Sequence, residues 1–184
     1  MKNKLKKFDD LFIELINEKM NTKHLDRFMY KITDLGGAIY TSLFLFILIL
    51  LGNQKMKYIG FEALTSLTIS QSIVYLLKKA LSRERPYKII EHLNTFGIDM
   101  KDYSFPSGHT TASFTIATTI ALNVPRISIY IFVLAMIIGI SRIYLGVHYP
   151  TDVAAGIFLG LGVSLLVHFY LLKHINELAQ KIWN

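Results

Sequence analysis

The sequence predicts an all-α integral membrane protein, a bundle of about five transmembrane helices preceded by an interfacial amphipathic amino-terminal helix. Two observations carry this prediction. Hydrophobic residues fill 52% of the 184 positions and mean hydropathy is +0.40, above the usual range for a soluble domain. Charged residues are also missing from long windows: 35 to 52, 58 to 77, 103 to 125, 127 to 141 and 153 to 172 together hold only one, Glu62. The fourth window is short, and gains length if Arg142 lies at its end and the helix runs on through Ile143 and Tyr144.

The opening MKNKLKKFDDLFIELINEKMN is basic like a secretion signal, but Asp9, Asp10 and Glu14 break its apolar stretch and no small-residue cleavage site follows. It is read as part of the mature protein. Phe8, Leu11, Phe12, Leu15 and Ile16 recur at helical spacing, the pattern of a helix lying on the bilayer surface. A second short helix over residues 25–35 leads through Gly36 and Gly37 into the first span. No repeat or low-complexity linker divides the spans, so they are expected to pack as one bundle. The chain then divides into an interfacial region at 1–34, a transmembrane catalytic domain at 35–172 and a short polar tail at 173–184.

Connections set the sidedness. The loop 53-NQKMK-57, the turn at Pro125 and Arg126, and the tail from Lys173 lie on one face. The amino-terminal region, the long segment 78–106 and the bend 142-RIYLGVHYPTD-152 lie on the other, with every cluster of unusual polar residues. Glu62, close to the loop after Lys57, is expected at the interface.

Composition excludes several chemistries. With no cysteine there is no disulfide framework, thiolate metal site or cysteine nucleophile. The net charge of +7 is spread between apolar spans and forms no continuous basic stripe, which argues against nucleic acid and for anionic lipid headgroups or a phosphorylated substrate.

Three stretches carry candidate chemistry. In 78-KKALSRERPY-87, Lys78 and Arg85 lie seven residues, two helical turns, apart. They share a face if the second span continues to Pro86, which closes it. Lys79 and Arg83 read as solvated anchors to lipid phosphates. In 106-PSGHTT-111, Ser107 is placed to cap a helix whose first turn contains His109, and Gly108 admits close approach to the backbone. Such a helix start attracts anions through its free N–H groups and dipole. In 141-SRIYLGVHYPTD-152, Arg142 ends the fourth span, Gly146 permits a turn and Pro150 opens the fifth helix. His148 and Asp152 are four apart, near enough for the carboxylate to hold one imidazole nitrogen and leave the other free as nucleophile or base.

Together these residues put three cations, a hydroxyl, a helix amino terminus, two histidines and a carboxylate at one membrane face. Phosphoryl transfer needs that set: held equatorial oxygens, an in-line nucleophile and an acid for the leaving oxygen. The residues alone leave open which histidine attacks.

The three blocks resemble the signature of the type 2 phosphatidic acid phosphatases, shared with vanadium haloperoxidases and bacterial acid phosphatases. Its pattern is Lys, six residues, Arg-Pro; Pro-Ser-Gly-His; then Ser-Arg, five residues, His, three residues, Asp. Lys78 to Arg85-Pro86, Pro106-Ser107-Gly108-His109, and Ser141-Arg142 to His148 and Asp152 match all eleven positions in order. The likeness covers about residues 25 to 172. It implies that His148 attacks phosphorus, Asp152 orients it and His109 protonates the leaving oxygen, without cofactor or metal. Lys78, Arg85, Arg142, Ser107 and the Gly108 backbone N–H would bind phosphoryl oxygens. The implied substrate is a lipid phosphate or diphosphate, such as undecaprenyl diphosphate, phosphatidylglycerophosphate, phosphatidic acid or phosphorylated lipid A.

Bacterial relatives generally show six spans, the first entering from the cytoplasm, whereas five here put the amino terminus and the site on one face. Family precedent implies a cell-membrane protein with its site outside the cytoplasm. The distribution of Lys and Arg points the other way, with eight before Thr33 on that face against Lys55, Lys57, Arg126, Lys173 and Lys181 opposite. Because the early cations are interleaved with acids and three later ones are assigned to catalysis, the external face is the expectation.

Three alternative readings fit parts of the pattern. Metal ligation by His109, His148 and Asp152 is disfavoured electrostatically beside Lys78, Arg85 and Arg142. A transporter would spread polar groups along its spans instead of gathering them at one face. A lipid phosphotransferase would use the same covalent intermediate. Tyr87, Tyr103, Phe105 and Tyr149 are placed either to line an interfacial approach or to act as ordinary belt aromatics.

Overall fold

A computed structural model describes residues 2–20 and 22–183, and these form helices and connections with no strand. The helices are α1 (Lys2–Glu18), α2 (Lys23–Ile32), α3 (Ala38–Leu51), α4 (Gln54–Leu81), the one-turn α5 (Pro86–Ile89), α6 (Gly108–Asn123), α7 (Ser128–Tyr144), α8 (Pro150–Leu166) and α9 (Leu172–Trp183). A tight turn, Thr33–Gly36, joins α2 to α3, and a widened turn, Val167–Leu171, continues α8 into α9.

Helix α6 is the centre of the bundle, packed by α4, α7 and α8. Its buried face is built from small and hydroxylated residues, Thr110, Thr111, Ala112, Ser113, Thr115, Thr118 and Thr119 among them. These hydroxyls are satisfied locally or across helices: Thr118 and Thr119 donate to the carbonyls of Phe114 and Thr115, and Ser164 of α8 donates to the Thr115 carbonyl at 2.9 Å. Helix α8 can approach this face because Gly160 faces it. A Cβ there would stand 2.8 Å from the Thr111 carbonyl oxygen, so any side chain would force the helices apart.

Among the described residues two stretches are long and apolar enough to cross a membrane, Pro125–Tyr144 and Pro150–Leu178, each with mean hydropathy 2.0. Lys23–Gly36 and Ala38–Leu51 pass together as a pair bent by 54°. The windows assigned to α4 and α6 are less apolar for a physical reason: these helices face neighbours, and carry buried polar groups that pair within the bundle.

One expectation needs correction here. Helix α4 stops at Leu81 instead of Pro86, with Ser82 in the left-handed region at φ 44°. Residues 82–85 are then non-helical, and in an extended segment positions two apart, Arg83 and Arg85, can project to the same side. Glu62 is 1% exposed within the bundle, bonded to Asn123 and His168 at 2.8 Å each. Helix α1 buries Asp9, Ile13 and Asn17, four residues apart, while Phe8, Leu11, Phe12 and Leu15 stay exposed.

That inward face of α1 helps roof the functional end. Asn17 donates to the carbonyls of Asn94 (2.8 Å) and Tyr144 (2.6 Å), and its amide oxygen accepts the Asn94 N–H, so one buried side chain ties α1, the 90–107 connection and α7 together. Ile13, Leu93, Ile143, Tyr149 and Val153 form the apolar cluster beneath.

Candidate active site

Each candidate residue sits at an element end. Lys78 is in the last turn of α4, Arg85 immediately precedes α5, Ser107, Gly108 and His109 open α6, Arg142 is in the last turn of α7, and Asp152 is in the first turn of α8. His148 lies in the connection between α7 and α8. Gly146, at φ 65°, reverses the chain there, and the His148 N–H bonds to the Arg142 carbonyl at 3.2 Å. The turn thus keeps Arg142 and His148 together at one end of α7.

His148 is 1% exposed. Its Nε2 stands 3.2 Å from Arg85 Nη1. Its Nδ1 is 3.6 Å from Asp152 Oδ2, too long for the direct hydrogen bond that the four-residue spacing suggested. The reason is an intervening hydroxyl. Ser104 Oγ donates to Asp152 Oδ2 at 2.5 Å and stands 3.4 Å from His148 Nδ1. Asp152 also accepts the Tyr149 backbone N–H at 2.9 Å and Arg83 Nη1 at 2.6 Å, so the fully buried carboxylate is held by three donors. Burial lowers the affinity of His148 for a proton, and the charges of Arg85, Arg142 and Lys78 lower it further, well below the ordinary imidazole value. His148 is therefore neutral at pH 7 and has a lone pair to offer.

The cations are arranged around it. Arg85 is 1% exposed, with Nε on the Asp102 carbonyl (2.9 Å) and Nη1 on the Val147 carbonyl (2.9 Å). Arg142, 2% exposed, donates to Thr33 Oγ1 at 2.7 Å, but its buried Nε has no hydrogen-bond partner among the described residues. A buried, unpaired guanidinium N–H is costly unless an acceptor arrives. Lys78 pairs with Asp102, which also takes Arg85 Nη2 at 2.5 Å. Burial alone would raise the Asp102 carboxyl; the Lys78 hydrogen bond and the charges of Arg85 and Lys78 hold it down at about 2.

Ser107 starts α6, but its side chain makes no capping bond to the helix backbone. Instead its Oγ accepts the Thr110 hydroxyl at 2.9 Å, because Thr110 lies one turn along the same buried face. Lys78, Gly108, His109 and His148 line one cavity of about 500 Å³ that continues between α3 and α4 past Thr41, Leu67 and Gln71. Arg85 reaches its wall through His148 and Asp102, whereas Ser107 and Arg142 are buried outside that lining. Among the described residues no group of three or more His, Asp or Glu side chains is placed to hold a metal ion.

Three contributors escaped the sequence reading. Ser104 sits two residues before the stretch 106-PSGHTT-111 in a non-helical connection, and no pattern in the sequence marks it. Asp102 lies in an irregular connection without periodicity. Arg83 was read as a solvated anchor; it instead bridges Asp152 and Asp9 (2.6 and 2.7 Å), over the ring of Tyr149 at 4.1 Å. Its guanidinium is lowered by burial but raised more by Asp152 and Asp9, so it stays charged. Asp9 of α1 also holds the N–H and hydroxyl of Thr151 (3.0 and 2.6 Å), which carries the bridge to the start of α8. Of the four aromatics, Tyr149 is 6% exposed beneath Arg83 and Tyr103 is 43% exposed.

Comparison with known proteins follows the same lines. A family model described as the PAP2 superfamily matches residues 59–175. The chain is 30% identical over 164 residues to the lipid A 1-phosphatase of Rhizobium johnstonii, covering 78% of this chain and 66% of that relative, so it spans just under two thirds of the relative's length. The crystal structure of Aquifex aeolicus LpxE superposes with a TM-score of 0.78 at 29% identity, over 88% of this chain and 95% of that one. The PAP2 type phosphatidylglycerolphosphate phosphatase of Bacillus subtilis gives 0.73 at 27% identity, over 95% and 87%. A family model covering more than half of the chain, and solved relatives that match its fold over most of its length, place this protein in the PAP2 superfamily.

Proposed function

We propose that the chain is a metal-independent lipid phosphatase that removes the phosphate or diphosphate headgroup of a membrane lipid through a phosphohistidine intermediate. The observation that carries this reading is the buried Arg142 Nε without an acceptor, close to a neutral His148 and two further cations. A phosphoryl oxygen supplies the missing acceptor, and its charge balances the cluster. The similarity to a lipid A 1-phosphatase and a phosphatidylglycerolphosphate phosphatase supports the substrate class.

In this mechanism Lys78, Arg85, Arg142, Ser107 and the Gly108 N–H hold the phosphoryl oxygens, and Arg85 Nη1 turns from His148 Nε2 to the substrate. His148 Nε2 forms a bond to the terminal phosphorus as that atom's bond to the bridging oxygen breaks, so the leaving group is the lipid alkoxide of a monophosphate or the lipid monophosphate of a diphosphate. His109 gives its proton to that departing oxygen. Asp152 stabilises the charge on the imidazole through Ser104. Water, deprotonated by His109, then attacks phosphorus, and inorganic phosphate and free His148 result. The cations supply the charge neutralisation that a divalent ion supplies elsewhere. Phosphate release from purified undecaprenyl diphosphate, phosphatidylglycerophosphate, phosphatidic acid and lipid A is therefore expected for at least one of them in detergent, undiminished by excess chelator. No release from any, or loss on chelation restored by one metal, would refute the reading.

In the membrane, α3, α4, α6, α7 and α8 would span, with α1 on the bilayer surface through Phe8, Leu11, Phe12 and Leu15. The site would face away from the cytoplasm in the cell membrane. Because the chain has no cysteine, Thr95→Cys tests this directly. An impermeant thiol reagent is expected to label it from outside intact cells, and labelling from the cytoplasmic side alone would reverse the orientation.

A further inference from the structure

Asp102 stands where a substrate oxygen has to go. Its carboxylate bridges Lys78 Nζ and Arg85 Nη2, the latter at 2.5 Å, and it lines the same 500 Å³ cavity as His109 and His148. We propose that Asp102 is a resident competitor for the phosphate position: its carboxylate occupies the Lys78–Arg85 pair in the free enzyme and must swing aside for a phosphoryl group to bind. This rests on the phosphatase reading above and adds to it a residue that sets which anions the site accepts.

Three features make the carboxylate the movable partner. Its side chain is 51% exposed, whereas those of Lys78 and Arg85 are 13% and 0% exposed. It belongs to the irregular connection between α5 and α6, whereas Lys78 is fixed in α4. Its backbone is independently anchored, because Arg85 Nε holds the Asp102 carbonyl at 2.9 Å and Nη2 holds the Tyr103 carbonyl at 3.2 Å. A change of side-chain rotamer, a fast local motion, therefore exposes the cations without dismantling the loop.

The consequence is selectivity by charge and by attachment. A carboxylate carries one negative charge on two oxygens; a phosphoryl dianion carries two on three, and makes stronger paired hydrogen bonds. A lipid phosphate displaces Asp102 with help from its chain in the cavity. Inorganic phosphate lacks that help, so the returning carboxylate favours its release. Asp102 stays ionised throughout the neutral range, since Lys78 and Arg85 outweigh its burial.

The test is inhibition by inorganic phosphate, measured on detergent-purified full chain with a lipid phosphate substrate. Asp102→Asn is expected to lower the inhibition constant about 10-fold or more, because like charge at this position is removed. Asp102→Glu keeps the charge, on a side chain one methylene longer that can still reach the cations, and is expected to stay within about threefold of wild type. Asp102→Ser replaces Asn if the latter does not fold. An inhibition constant that is unchanged or raised in the neutral variants would overturn the proposal, assigning Asp102 to cation organisation. A constant that falls equally in Asp102→Glu would overturn it too, as a disturbance of the loop. A wild-type chain that releases no phosphate from any lipid would instead defeat the underlying phosphatase reading, and the proposal with it.

Discussion

Replacing His148 by alanine is expected to abolish turnover with every substrate, whereas His109→Ala should retain about 100-fold more of its activity on an aryl phosphate than on a phosphatidic acid. The two histidines line one cavity, yet their surroundings differ. His148 is 1% exposed, with Nδ1 directed at Ser104 and Asp152 and Nε2 at the cations, the geometry of an oriented nucleophile. His109 opens α6, and among the described residues no carboxylate is bonded to it, which suits it to exchange a proton with a departing oxygen. A lipid alkoxide is strongly basic and leaves only when protonated, while a nitrophenolate leaves almost unaided. Loss of the acid therefore discriminates between leaving groups; loss of the nucleophile does not. Equal losses on both substrates for His109→Ala would contradict the division of labour.

Asp152→Asn is expected to lower turnover by about 10³-fold on lipid and aryl substrates alike, with little change in KM. Asp152 is 0% exposed and accepts from Ser104, Tyr149 N and Arg83 at 2.5, 2.9 and 2.6 Å. An amide in its place must turn an NH₂ group toward one of those donors, and it cannot balance the charge that develops on His148. Ser104→Ala leaves the 3.6 Å gap between Nδ1 and the carboxylate unbridged and should cost less, about 10- to 100-fold. Retention of wild-type turnover in Asp152→Asn would place the carboxylate in a structural role with Arg83 and Asp9.

How much of this was legible in the sequence depends on the reach of each signal. Uncharged windows announced the helices α3, α7 and α8 because lipid-facing helices must be apolar along their length. The end of α4 was misplaced by four residues because Pro86 was taken as the stop signal, whereas the chain leaves the helix at Ser82. The three motif blocks could be read because each one's internal spacing is local. Their meeting around His148 depends on the turn at Gly146 and on the order of helices about α6. Asp102, Ser104 and Arg83 remained hidden because their partners lie 17 to 74 residues away along the chain, and no periodicity links them. Arg83 looked like a solvated anchor because a basic residue after a span usually is one; only the buried Asp9 on α1 and Asp152 on α8 reveal its task.

The central claim, covalent catalysis by His148, is tested most directly by trapping the intermediate. His109→Ala protein incubated with a ³²P-labelled aryl phosphate should form the phosphoenzyme but lack the base that activates water for the second step. After an alkaline quench, which preserves phosphohistidine, peptide mapping is expected to place the label on His148, and the label should vanish when His148 is also replaced. No label, or a label on another residue or persisting without His148, would contradict the account.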